Sequence, residues 1–252
     1  MNNYYIIIFL LVSTILLFLI FYRKNKNKIA FYTVFIGSNK NIAFKSTQIP
    51  SNFYDCYYYT NNKEIIESLK DTKWIIKYID NKITDDEIKS CMDAKHVKIL
   101  PNLYNELNKY EYTVFFDNKL VINSNIHEIE KLIDTKMVNK SMLLRRHEFI
   151  KPNVLDEYKE SMKQARYQKQ NLQYMNYINS KVSNGLSLTT KDHFRCGFII
   201  RKNSSPVVKE INETWYKHLN DCGIQDQISF FFVKQLFPND IGIIEHKEFT
   251  IA

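Results

Sequence analysis

The feature that most limits this chain is an uninterrupted apolar run near its N-terminus. Residues 4–22 read YYIIIFLLVSTILLFLIFY, without a charge, a Pro or a Gly. At about 1.5 Å per residue a helix of this run is roughly 28 Å long, close to the ~30 Å hydrocarbon core of a bilayer. Tyr4, Tyr5 and Tyr22 sit at its ends, where amphipathic rings favour the headgroup zone. A buried core helix is rarely apolar on every face. A cleaved leader fits poorly too: the run is long, no basic residue precedes it, and no small-x-small site follows. Residues 1–23 are therefore expected to form a transmembrane anchor, and 24–28 a basic juxtamembrane linker. Arg23, Lys24, Lys26 and Lys28 follow the run, with no Lys or Arg before it. The positive-inside rule then places the rest of the chain in the cytosol. Luminal placement is the alternative, and Asn139, Asn203 and Asn212 open strings with the form of glycosylation acceptors.

Residues 29–252 fit one large domain. The formal net charge is +8, but Lys and Arg are scattered. No basic stripe with interleaved aromatics appears, so nucleic acid is not an expected partner. The basic balance suits anionic groups such as nucleotide phosphates, an anionic membrane surface, or simple solvation. Cys56, Cys91, Cys196 and Cys222 include no C-x-x-C pair, which disfavours a zinc site. They are expected to be reduced and mostly buried.

Strand-like and helix-like stretches alternate, which predicts an α/β fold with a largely parallel sheet. Strands are expected at 29–36, 57–60, 74–79, 112–116, 141–144, 194–200 and 241–244. Asn61 with Glu64, Thr84 with Glu87, and Asn125 with Glu128 resemble capping boxes opening helices to about 69, 94 and 133. Apolar spacing from Leu155 to Met175 predicts one long or broken helix. Ser205-Pro206 opens a helix that buries Val207, Ile211, Trp215 and Leu219 and closes at Gly223. A last helix starts near Asp226.

Open α/β sheets bind ligands beyond the C-terminal ends of their strands. Three features lie there: Thr33 to Gly37 with the turn at Ser38 and Asn39; Asp117-Asn118-Lys119; and Asp226-Gln227. An acid directly after an apolar strand is rigidly held and partly desolvated, which suits a metal- or sugar-binding carboxylate. Asp117 is such an acid, or else a turn Asp. Lys119 either neutralises a diphosphate or is an exposed turn lysine. Asp226 either caps its helix or, kept ionised by the helix dipole, accepts from sugar hydroxyls or stabilises an anomeric cation. His147 and His193 flank strands and are polar candidates. No P-loop, G-x-S-x-G elbow or H-E-x-x-H occurs.

The ordered strings IAFYTVFIG, YYYTNN, DAKHVKILPNLY, YTVFFDNKL, LLRRH, DEYKESMKQARYQKQ, FRCGFIIRKNSSPVVKEINETWY and IQDQISFFFV span about residues 29–237. As a set they resemble the glycosyltransferase-like domain of plant turgor-regulation and seed-mucilage proteins, with bacterial and viral relatives. Asp-Gln-x-Ser-Phe after a tryptophan helix, downstream of an aromatic-aromatic-Asp strand, is the most specific part. That family is similar to nucleotide-sugar transferases of the GT-A type. The resemblance implies a Rossmann-like GT-A domain. It implies a nucleotide near Thr33, Gly37, Ser38, Asn39, Thr60 and Asn61, with Lys95 and Lys98 flanking the phosphates. It also implies a divalent metal, Mn or Mg, with Asp117 as first carboxylate of a D-x-D motif. This chain departs from that motif, since Asp117-Asn118-Lys119 lacks the second acid. Either Lys119 replaces part of the metal's charge, or His246 contributes from the C-terminal segment.

These readings predict a membrane-anchored glycosyltransferase. It would move sugar from a nucleotide-sugar donor to a glycan, lipid or protein acceptor, with Asp226, Gln227 and Asp117 as catalytic residues and Lys119 and His147 beside the donor. Two rivals are a non-catalytic transferase-like protein that binds glycans or lipids and a membrane-bound hydrolase of sphingolipid-like amides.

Overall fold

A computed structural model describes residues 5, 7–16, 28–38, 48–120, 126–149 and 152–249. Residues 7–16 are helical with large apolar side chains exposed, among them Phe9 and Leu16. Among the described residues no helix is long and apolar enough to cross a membrane. The remainder of the expected 4–22 span lies outside them, as do Asn39 and Asn125.

Seven strands among the described residues form one sheet in the order β3-β2-β1-β4-β6-β5-β7. They are β1 (Ile29–Phe35), β2 (Asp55–Thr60), β3 (Ile75–Tyr78), β4 (Tyr112–Phe116), β5 (Met142–Arg146), β6 (Phe194–Lys202) and β7 (Ile241–Ile244). β6 alone runs against the others. The mostly parallel sheet expected from the alternating pattern is therefore present. Every residue of β1 and of β4 is buried, which explains why these strands read as unbroken apolar runs.

Helices cover both faces. α1 (Lys63–Leu69) and α3 (Ile126–Lys136) pack Ile65, Leu69, Ile129, Leu132 and Ile133 against Phe31, Tyr58, Val114 and Phe198. On the other face α2 (Glu87–Ile99) and α6 (Pro206–Cys222) bring Val97, Ile99, Ile211, Trp215 and Leu219 onto Tyr32, Phe115, Leu144 and Ile199. The expected helix around 155–175 is broken: α4 (Val154–Ser161), a single turn at Ala165–Gln168, and α5 (Asn171–Ser183). These join α7 (Asp226–Leu236) in a separate cluster that includes Val154, Tyr174, Ile178 and Phe232.

Two helix starts differ from the sequence expectation by a residue or two, and α7 starts at Asp226 as expected but with a different cap. Asn62 caps α1, because Asn61 is engaged elsewhere: its Oδ1 accepts from the Gly37 N–H at 2.9 Å. Asp86 caps α2, while Thr84 accepts from the Asp86 N–H at 3.0 Å. α2 also runs on to Ile99, past the expected end near 94, and so carries Lys95 and Lys98. Gln225, not Asp226, caps α7. The four cysteines are free.

Candidate active site

Parallel strands β2, β1 and β4 lie side by side, so their C-terminal ends open on one edge. A cleft of about 430 Å³ lies there, lined by Gly37 and Ser38 after β1, Asp117 and Lys119 after β4, His147 after β5, and Asp226 and Gln227 of α7. A more open cavity of about 750 Å³ adjoins through Ser38 and is lined by Asn61, Asn62 and Tyr78 at the ends of β2 and β3. Gly37 is needed at the rim. Its φ is +112°, and a Cβ there would come within 2.6 Å of Ser90 Oγ on α2.

The floor of the cleft is a charge cluster. Lys95 and Lys98 stand three residues apart on α2, hence on one helix face. Both ammonium groups bond the same oxygen of Asp226, Oδ2, with the Lys98 contact at 2.7 Å. Lys98 also lies 3.4 Å from Asp117 Oδ1 and 4.9 Å above the Phe115 ring. Its side chain is 3% exposed, that of Asp226 7%. Burial opposes both charged forms, and the opposite charges outweigh it. Asp226 is held well below the usual carboxylate range by Lys95 and Lys98. Lys98 is held above the usual lysine range by Asp117 and Asp226. Asp226 Oδ1 has no partner among the described residues.

The Asp-Gln-x-Ser-Phe string has a structural reason. Ser229 Oγ accepts from Trp215 Nε1 at 3.1 Å and donates to the Asp226 carbonyl at 3.0 Å. The Trp215 and Phe230 rings sit 4.5 Å apart behind it. The tryptophan helix thus fixes the first turn of α7 and, with it, the Asp226 side chain.

A second buried network was not foreseen. Glu157, 2% exposed, lines the cleft. It meets His193 Nε2 at 2.8 Å and accepts from Gln225 Nε2 at 3.0 Å. Gln225 also donates to Ser161 Oγ at 2.7 Å. A signal was present: Val154, Glu157 and Ser161 share the inward stripe of α4, and an acid on such a stripe calls for a partner. The His147 ring lies 5.4 Å from that of His193.

Burial pulls His147 from the usual 6.5 down to about 4; Glu157 opposes the shift, while His193 and Arg195 add to it. Between those values the unfolded chain binds the extra proton, so stability should rise with pH and be lost as pH falls from 6.5 towards 4. Urea titrations across this window should show that loss, and it should shrink in His147→Gln. An unchanged slope in the variant would remove His147 as its source.

Not every expected site residue reaches the cleft. Thr33 Oγ1 donates to the Phe116 carbonyl at 2.8 Å, inside the sheet. Thr60 Oγ1 accepts from the Asn62 N–H at 3.1 Å. Both hydroxyls are taken up by neighbouring backbone, and neither residue lines the two cavities. His246 is exposed and outside the cleft lining; its Nδ1 accepts from Arg145 Nη2 at 2.8 Å. No group of three or more His, Cys, Asp or Glu able to hold a metal occurs among the described residues. Asp117 has an ammonium group where a second acid would be needed. The expected pairing of Asp117 with His246 therefore does not fit a divalent cation.

No protein-family model matches this chain, and no curated protein matches it in sequence. Its fold is similar to that of mouse xyloside xylosyltransferase 1 in the apo form. The two are 10% identical, the match covers 87% of this chain and 86% of that one, and the TM-score is 0.52. The mannosyltransferase Ktr4p of S. cerevisiae matches at 13% identity over 90% of this chain and 70% of that chain, with a TM-score of 0.47. At 10% identity the likeness to the xylosyltransferase shows the fold alone, a mixed α/β sheet arrangement.

Proposed function

We propose that this chain is a membrane-anchored glycosyltransferase that moves a sugar from a nucleotide-sugar donor to a glycan, lipid or protein acceptor. The observation that carries the reading is the floor of the cleft. Two adjacent lysines at a strand-end edge bind one oxygen of Asp226, leaving its other oxygen for a ligand. In this reading Lys95, Lys98 and Lys119 stabilise the negative charge that grows on the diphosphate leaving group. Asp226 and Gln227 orient the donor sugar, and positioning supplies much of the remaining effect. The nucleoside end would lie in the adjoining cavity near Ser38 and Asn61. The resemblance to the plant turgor and mucilage family supports the same assignment. Anchoring rests on the apolar run at 4–22 and a cytosolic domain on the basic flank after it.

The test is to incubate the full chain with a panel of nucleotide sugars and candidate acceptors. Donor hydrolysis or transfer that falls in Asp117→Asn is expected. Binding without turnover would favour a non-catalytic binding protein, a reading that the missing second acid of D-x-D also suits. Neither binding nor turnover with any donor would overturn the proposal.

A further inference from the structure

A buried cation beside the cleft lacks a counter-ion. Arg145, at the C-terminal end of β5, is 5% exposed. Its Nη2 donates to His246 Nδ1, a nitrogen that carries no proton when it accepts, and its Nε has no partner among the described residues. Arg195 stands opposite it in the β5–β6 register, just past an irregularity after Leu144. Among the described residues neither arginine has a carboxylate within ion-pair distance. Glu148 lies 3.4 Å from His246 Nδ1 but pairs with neither arginine. Burial and the like charge of Arg195 both pull Arg145 below its ordinary value.

An uncompensated buried charge is strongly unfavourable, and arginine does not escape by losing its proton. The counter-charge is then expected from a bound anion. Nε and the neighbouring Nη of a guanidinium form a fork that matches two oxygens of a phosphate. We propose that Arg145, Arg195 and His246 form a binding site for a phosphate group at the ends of β5, β6 and β7. The site adjoins the cleft: His147, two residues beyond Arg145, lines the cleft and feels the charge of Arg195. It does not depend on sugar transfer.

The probe is inorganic pyrophosphate, titrated into the full chain by calorimetry. Saturable binding is expected, weakened about ten- to a hundredfold in Arg145→Gln and in Arg195→Gln, the range for losing a charge-assisted hydrogen bond. Arg195→Lys should retain part of it. If Arg145→Gln does not fold, the half-buried Arg195 decides the matter alone. Competition by a nucleoside diphosphate, itself weakened in the variants, would identify the phosphate as part of a nucleotide. Arginine-dependent binding to phosphatidic acid vesicles, without such competition, would identify a lipid headgroup. Pyrophosphate binding of full strength in both variants, or no binding of any phosphate compound, overturns the site.

Discussion

Asp226→Asn is expected to lower unfolding stability by about 3–5 kcal/mol, the usual result of removing one partner from a buried ion pair. As a helix cap the substitution would be nearly neutral, because Asn caps about as well as Asp. Gln225 is the cap, however, and Asp226 is the counter-ion of two lysines, one of them 3% exposed. Without its carboxylate, Lys98 keeps only Asp117 at 3.4 Å. The control is Lys98→Met with Asp226→Asn: the double variant should be less destabilised than the two single losses added. Urea unfolding of the four proteins measures this. The sign with pH also follows. Because Asp226 is held below the usual range, the pair's contribution is present above the ordinary carboxylate value and is lost only as pH falls through the depressed one. A cost under about 1 kcal/mol for Asp226→Asn would mean that water reaches Lys98 in the folded state.

The second large effect concerns rate. Lys98→Met should reduce sugar transfer by about 10²-fold or more, as expected for one lost electrostatic contact to a leaving group. Asp226 keeps Lys95 in this variant, so the protein should fold. The measurement is the initial transfer rate at saturating donor, beside a thermal melt. Transfer within about threefold of the parent, with a normal melt, would sink the role given to Lys98, since one electrostatic contact of this kind is worth far more.

Much of the sheet was readable before the structure. The strands at 112–116 and 241–244 coincide with β4 and β7, because apolar runs bounded by polar turns leave little freedom of register. Caps were less readable. Asn61 and Asn62 are equally able to cap, and only the distant Gly37 N–H decides between them. The same limit applies to the site. Asp117 and Asp226 stand out by position along the chain, but the lysine bridge joining them links residues 19 and 128 positions from Lys98. No local pattern encodes that contact. Thr33 and Thr60 turn their hydroxyls to neighbouring backbone, which proximity to a strand's end does not foretell.

The chain between β5 and β6 leaves the sheet and returns to the same edge. Its neck is closed by the His147 N–H bonding the His193 carbonyl at 2.8 Å, and higher up by a bridge between Asn153 and Thr189. This excursion carries Glu157, Arg166 and Tyr167 to the cleft while adding no strand to the sheet. Closed at that neck, the excursion can change length in its outer turns while the register of β5 against β6 stays in place.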